Sequence, residues 1–281
     1  MRIPVCRVVV RATRWLTPRM RRVTFGGPGL DGFASNDAAD ERVKLLLSPS
    51  GGRPALPQID ERGLSYPPGA ERPVSRTFTV RRFDPDAVEL EIDIAHHNGR
   101  AAAWAARAQP GDEAAIAGPT GGYESAASPG CHLLAGDETA LPAIATILER
   151  LPAGASAEAL IEIGDRRAEL ELTSRADVRL RWLERNGARA PAGALLVEAM
   201  RALAWPPETP RVWAAGEALA MRAIRRHLRD ELGLARDRFQ VVGYWRDSLS
   251  EDEAIEAHLA AQEAARGAGA SEAEVDDAGL Y

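Results

Sequence analysis

Two different hydrophobic periods divide this chain. Up to about residue 122 the apolar residues come in short or alternating runs: Val8-Val9-Val10, Val23-Thr24-Phe25, Val43-Lys44-Leu45-Leu46-Leu47 and Val88-Glu89-Leu90-Glu91-Ile92-Asp93-Ile94. Parted by Gly26-Gly27-Pro28-Gly29 and Pro110-Gly111-Asp112, these describe strands joined by tight turns. From His132 onward, apolar strands alternate with helices. His132 to Ala135, Ala159 to Ile163, Arg211 to Ala215 and Phe239 to Gly243 read as strands. Leu141, Ile144, Leu148 and Leu151 recur at helical spacing, with Pro142 fixing the helix start. Met221, Ile224 and Leu228 do so in a second helix, from about 218 to 232, which Gly233 stops. Such alternation implies a parallel sheet with a ligand crevice at the carboxyl ends of its strands. The expected architecture is an N-terminal antiparallel β-barrel, residues 1–126, then an α/β domain, residues 130–248, with the boundary in the run Ser125 to Gly130. Residues 249–281 are expected to add a short helix carrying Ile255 and Leu259, then a disordered tail.

With 281 residues, 45% of them hydrophobic, the chain can bury two cores. The two cysteines, Cys6 and Cys131, are far apart and the five histidines show no HxH or HExxH spacing. A disulfide framework, a zinc site and an iron–sulfur cluster are therefore not encoded, and redox chemistry would need a bound organic cofactor. Basic and acidic residues, 35 and 41, are mixed along the chain for a net charge of −6, which argues against nucleic acid as the partner. Short apolar runs and a start without a signal-peptide core point to a cytoplasmic protein with no membrane segment.

Two segments carry candidate chemistry in the barrel half. Arg76-Thr77-Phe78-Thr79-Val80-Arg81 places a guanidinium, two hydroxyls and a flat ring on one extended strand, with Arg76, Phe78 and Val80 facing one way. It suits a planar phosphorylated cofactor or an ordinary amphipathic strand. Gly99 precedes Arg100-Ala101-Ala102-Ala103-Trp104, a helix start nearly free of bulk, where open amides receive phosphate well. His97 stands at the preceding strand end, beside the cofactor or as a solvated loop residue. The proline- and glycine-rich stretch from Ser48 to Ser75 reads as a long surface loop.

The α/β half carries Gly136-Asp137-Glu138-Thr139 where a dinucleotide fold would place GxGxxG. Two carboxylates there repel a pyrophosphate, so a nicotinamide dinucleotide should bind weakly or displaced; capping by Asp137 or Thr139 explains the residues equally. Asp165 favours a free adenine ribose, whereas Arg166 and Arg167 favour a phosphorylated one. Arg222, Arg225, Arg226 and Arg229 read as one helix face, either solvated or docking an acidic electron donor or an anionic siderophore.

The motif strand resembles the Arg-x-Tyr-Thr/Ser flavin motif of the ferredoxin-reductase superfamily. With Asp93-Ile94-Ala95-His96-His97, Gly99 to Ala105, Ala135 to Ala143, Ala215-Gly216-Glu217-Ala218 and Gly243-Tyr244-Trp245-Arg246, the chain resembles the siderophore-interacting protein family. That resemblance implies an FAD-dependent ferric-siderophore reductase, releasing iron by reducing Fe(III) to Fe(II). It implies Arg76, Thr77, Phe78, Thr79, His97, Gly99, Ala101, Ala102, Ala103 and Trp245 around FAD, with Thr79 near flavin N5 and no acid–base residue. Phe78 replaces the usual tyrosine, Arg100 the usual proline and Ala102 the usual serine. Gly136, Asp137, Thr139, Gly216 and Glu217 would line the side of an electron donor: NADH, NADPH or ferredoxin. The rival readings are a flavin-dependent NAD(P)H oxidoreductase serving a protein acceptor, and a siderophore carrier without catalysis.

Overall fold

The computed structural model describes residues 4–60, 63–97, 99–123, 128–187, 192–206 and 208–246, with four positions between 260 and 268. The expected C-terminal tail, and the Ser125 to Ala127 part of the expected boundary run, lie outside them. Two compact units divide between Glu124 and Ser125.

The first unit is a seven-stranded antiparallel sheet. Its strands are β1 (Val5–Thr17), β2 (Met20–Gly26), β3 (Arg42–Leu47), β6 (Val74–Thr79), β7 (Arg82–Asp84), β8 (Glu89–Ala95) and β9 (Glu113–Thr120), in the order β6-β3-β9-β1-β2-β8-β7. Beyond β6 the chain crosses to the far edge, Arg81 N donating to Glu91 O at 2.9 Å, and the sheet curls into a barrel. Period-two alternation sends Val8, Val10, Val23, Phe25, Val43, Leu45, Leu90, Ile92 and Ile116 inside. Helix α1 (Arg100–Arg107) closes on this core through Ala101 and Ala105, and Trp104 stacks on Phe25 with ring centroids 6.2 Å apart. It packs against β2, β6 and β8, so the motif strand and the helix are neighbours. The stretch expected to be one long loop holds a small hairpin, β4 (Gln58–Asp60) and β5 (Gly63–Ser65). Three-residue strands amid proline and glycine leave too short a pattern to read.

The second unit is a five-stranded parallel sheet made of β10 (Cys131–Asp137), β11 (Ser156–Ile163), β12 (Asp177–Glu184), β13 (Arg211–Glu217) and β14 (Phe239–Trp245), ordered β12-β11-β10-β13-β14. Its helices are α2 (Leu141–Arg150), α3 (Ala194–Arg201) and α4 (Ala218–Arg226), the last continued by a wider turn through Glu231. Strand order reverses between β10 and β13, the place where such sheets open a crevice. Leu133, Ala135, Leu160, Val212 and Ala214 pack against Leu196, Met200, Met221 and Ile224 of α3 and α4.

Strand β12 and helix α3 are additions to the expected elements. Val178, Leu180 and Trp182 alternate with Asp177, Arg179 and Arg181, an edge-strand pattern masked by its charges. Arg225 corrects the expected arginine face. It is buried and donates to Val241 O at 2.7 Å, because at 100° per residue it shares the inward side with Met221 and Leu228.

His132, 1% exposed on β10, touches Ser128 O with Nε2 at 3.0 Å, and burial holds its pKa below the ordinary 6.5. The unfolded chain takes up a proton near that value while the folded chain resists it, so stability is lost as pH falls through 6.5. His132→Gln is expected to flatten this loss in urea unfolding between about pH 5 and 7.5.

Candidate functional site

The barrel unit brings together the residues of two segments. On β6, Phe78 is half-buried, packed against the core but with part of its ring open, while Thr77 is exposed and Thr79 buried. Arg76 is half-buried and donates to Ser75 O at 2.7 Å. At the β8–α1 turn, His97 Nδ1 accepts from Gly99 N at 2.9 Å, which folds the exposed imidazole back over the helix start. His96 points elsewhere, edge-on to Trp15 at 5.6 Å, so the adjacent histidines make no common face.

The N-terminus of α1 has no side-chain cap and no acidic residue in its first turn. Ala101 and Ala102 are buried, and Ala103 is exposed. A Cβ placed on Gly99 would lie 2.3 Å from the His97 ring, so only glycine leaves the imidazole against the turn. Uncapped amides, absent bulk and an unbalanced dipole make a cradle for a diphosphate, and the open ring of Phe78 makes a stacking surface. Those residues fit a dinucleotide such as FAD.

The α/β unit gathers the other set around one carboxylate. Asp137, at the end of β10, accepts from Thr139 N at 2.8 Å, Thr139 Oγ1 at 2.5 Å, Glu217 N at 3.1 Å and Trp245 Nε1 at 2.8 Å. Burial pushes its pKa above the ordinary value, and these donors pull against that shift. Gly216, at φ +153°, leaves room for it, since a Cβ there would sit 2.6 Å from Oδ2. Gly136 is equally confined, with Ala140 Cβ 2.5 Å and Ala215 O 2.9 Å from an added Cβ. Trp245, expected beside the flavin, is tied to Asp137 within the α/β unit.

Neither Asp137 nor Thr139 caps α2, which corrects the capping expectation: the N-cap is Ala140, without a side-chain bond. Other carboxylates accept from further amides at this edge. Glu138 accepts from Gly164 N, Glu217 from Leu219 N and Ala220 N, and Glu162 from Gly193 N and Leu196 N. Glu162 escaped the sequence reading because its partners belong to the unrecognised α3. Asp165 is spent on Arg167 Nη2 at 2.8 Å. Among the described residues no cluster of His, Cys, Asp or Glu could hold a metal, and no helix is long and apolar enough to cross a membrane.

Residues 9–123 match the siderophore-interacting FAD-binding domain, and residues 130–248 match the siderophore-interacting protein domain. The crystal structure of a siderophore utilization protein from T. fusca is 39% identical, covers 89% of this chain and 96% of that one, and superposes with a TM-score of 0.78. Ferric vibriobactin reductase of Vibrio cholerae is 29% identical, covering 85% of this chain and 88% of its own. The NADPH-dependent ferric-chelate reductase of Escherichia coli is 28% identical, over 84% of this chain and 91% of its own. With both units matched in order over nearly all of the described residues, the chain belongs to the siderophore-interacting protein family, an FAD-binding barrel followed by an α/β domain.

Proposed function

We propose that this chain is an FAD-dependent oxidoreductase of the cytoplasm that reduces siderophore-bound Fe(III) to Fe(II). The observation that carries the reading is the uncapped, small-residue start of α1 beside His97, within the matched FAD-binding domain. The Vibrio and Escherichia relatives, both named as ferric reductases, support it. Hard oxygen donors hold Fe(III) far better than Fe(II), so a single electron loosens the metal. Bound FAD takes up two electrons together and releases them singly, as a one-electron metal acceptor requires.

The chain's own residues bind and orient. Amides of the α1 start, with Arg100 adding charge where the family has proline, hold the diphosphate; Arg76 reaches a phosphate. Phe78 would stack on the isoalloxazine, and Thr79 would bond near N5. Phe78→Ala is expected to weaken FAD binding roughly tenfold in a fluorescence titration, the size of a lost stacking contact.

The α/β unit is the proposed entry for electrons from NADH or NADPH. A specific observation favours a second donor, ferredoxin: Asp137, Glu138, Glu162 and Glu217 accept from backbone amides and set four carboxylates near the strand ends, where a pyrophosphate would be repelled. The test is FAD titration of the apoprotein, then anaerobic reduction with NADH, NADPH and reduced ferredoxin in turn. Tight uptake and bleaching by at least one donor is expected; a chain that takes up no FAD overturns the reading.

A further inference from the structure

Among the described residues Trp15 is one of two large apolar side chains left open, at 47% exposure. A single exposed ring needs no explanation, but this one is held in place. It pairs across the β1–β2 hairpin with Arg21, whose guanidinium carbon lies 5.4 Å from the ring centroid. Arg21 is itself pinned, donating to Ala106 O, to Ala108 O at 3.0 Å and to Thr13 Oγ1 at 2.6 Å. The other neighbour is His96, edge-on with centroids 5.6 Å apart, whose backbone N donates to Arg19 O at 2.7 Å. Indole, guanidinium and imidazole are therefore fixed together, and Trp15 takes no part in the barrel core.

Both neighbours tie Trp15 to the helix that starts the cofactor cradle. Ala106 and Ala108 lie at the end of α1, and His96 stands three residues before Gly99, the N-cap where α1 begins. Three residues of chain reach at most about 11 Å, a distance that a ribose and a purine cover from a phosphate on the α1 amides. The two imidazoles divide the turn between them: His97 folds over the helix start, while His96 turns onto Trp15. A dinucleotide brings two flat rings, one on each side of its diphosphate. Phe78 offers a surface for one of them on β6; Trp15 offers a second on β1, a strand that does not pair with β6.

We propose that Trp15, braced by Arg21 and His96, is the platform on which the adenine of FAD stacks, so that this chain selects FAD over FMN. The inference rests on the flavin reading and adds to it a residue that tells the dinucleotide from the mononucleotide. A base stacks on an aromatic ring through its π face, and a ring fixed beforehand loses little freedom when the base arrives. Arg21 and His96 act through Trp15 as positioning residues.

Titration of the apoprotein with FAD and with FMN, followed by flavin fluorescence, tests it. The parent is expected to prefer FAD, and Trp15→Ala to lower FAD affinity at least about tenfold while FMN affinity stays within about twofold. Trp15→Phe, which keeps a flat ring, is expected to recover most of the FAD affinity, whereas Phe78→Ala should weaken both flavins alike. Equal FAD affinity in Trp15→Ala and the parent overturns the assignment and leaves the flavin reading standing. A loss shared equally by FAD and FMN overturns it too, since it places Trp15 in support of α1 and not under adenine. A parent that takes up neither flavin overturns both.

Discussion

Replacing Asp137 with alanine is expected to destabilise the α/β unit by about 3 kcal/mol or more, read from urea unfolding. Its carboxylate accepts from Thr139, Glu217 and Trp245, and so joins the ends of β10, β13 and β14. Removing it strands the buried Glu217 amide, at a cost of about 1–3 kcal/mol, and the half-buried Thr139 amide and Trp245 indole N–H, at less each. Asp137→Asn keeps the shape but turns an amide NH₂ toward donors, so a smaller loss is expected. A cycle of Asp137→Ala with Trp245→Phe should show coupling of about 1.5 kcal/mol, and additivity would contradict a direct bond. Burial raises the folded pKa of Asp137 above 3.8, so the folded chain keeps its proton longer. Stability from this group therefore falls as pH rises from 3.8 through the folded value, and Asp137→Asn should remove that slope.

Gly99→Val is expected to lower FAD affinity by about a hundredfold or more while leaving the barrel folded. Gly99 has ordinary dihedrals, φ −75° and ψ 155°, so a side chain there adds no backbone strain. The damage is local: the new Cβ meets the His97 ring at 2.3 Å, breaks the Gly99–His97 bond and puts bulk over the α1 amides. Circular dichroism and thermal unfolding should match the parent apoprotein while the flavin titration fails. Unchanged FAD affinity would remove the α1 start from the cofactor site.

The fold was legible where one period held over a whole element. β8 announced itself through Leu90, Ile92 and Ile94, and α4 with the turn that continues it through Met221, Ile224 and Leu228, because each buries one clean stripe. β12 was hidden for the opposite reason: as an edge strand it alternates apolar residues with arginines and an aspartate, which reads as charged coil. In the barrel half the helix start itself was readable, because Gly99 precedes three alanines in four positions. In the α/β half, the presence of carboxylates in the first turn was visible as Asp137 and Glu138. The share of Glu162 and Glu217 was not, since long-range hydrogen bonds such as Glu162 to Gly193 leave no local spacing. Arg225 shows the limit of counting charges, because about 60–100° of helical phase separates it from Arg222 and Arg226 and gives it a buried bond to Val241.

Electrons are expected to leave a flavin on this chain for iron held by a siderophore. The FAD-loaded protein, photoreduced without oxygen and free of any donor, should be mixed with a ferric siderophore and ferrozine while flavin and Fe(II) absorbance are followed together. Flavin reoxidation matched by about two Fe(II) per FAD is the expected result. Flavin that stays reduced, with no Fe(II) trapped, would contradict it.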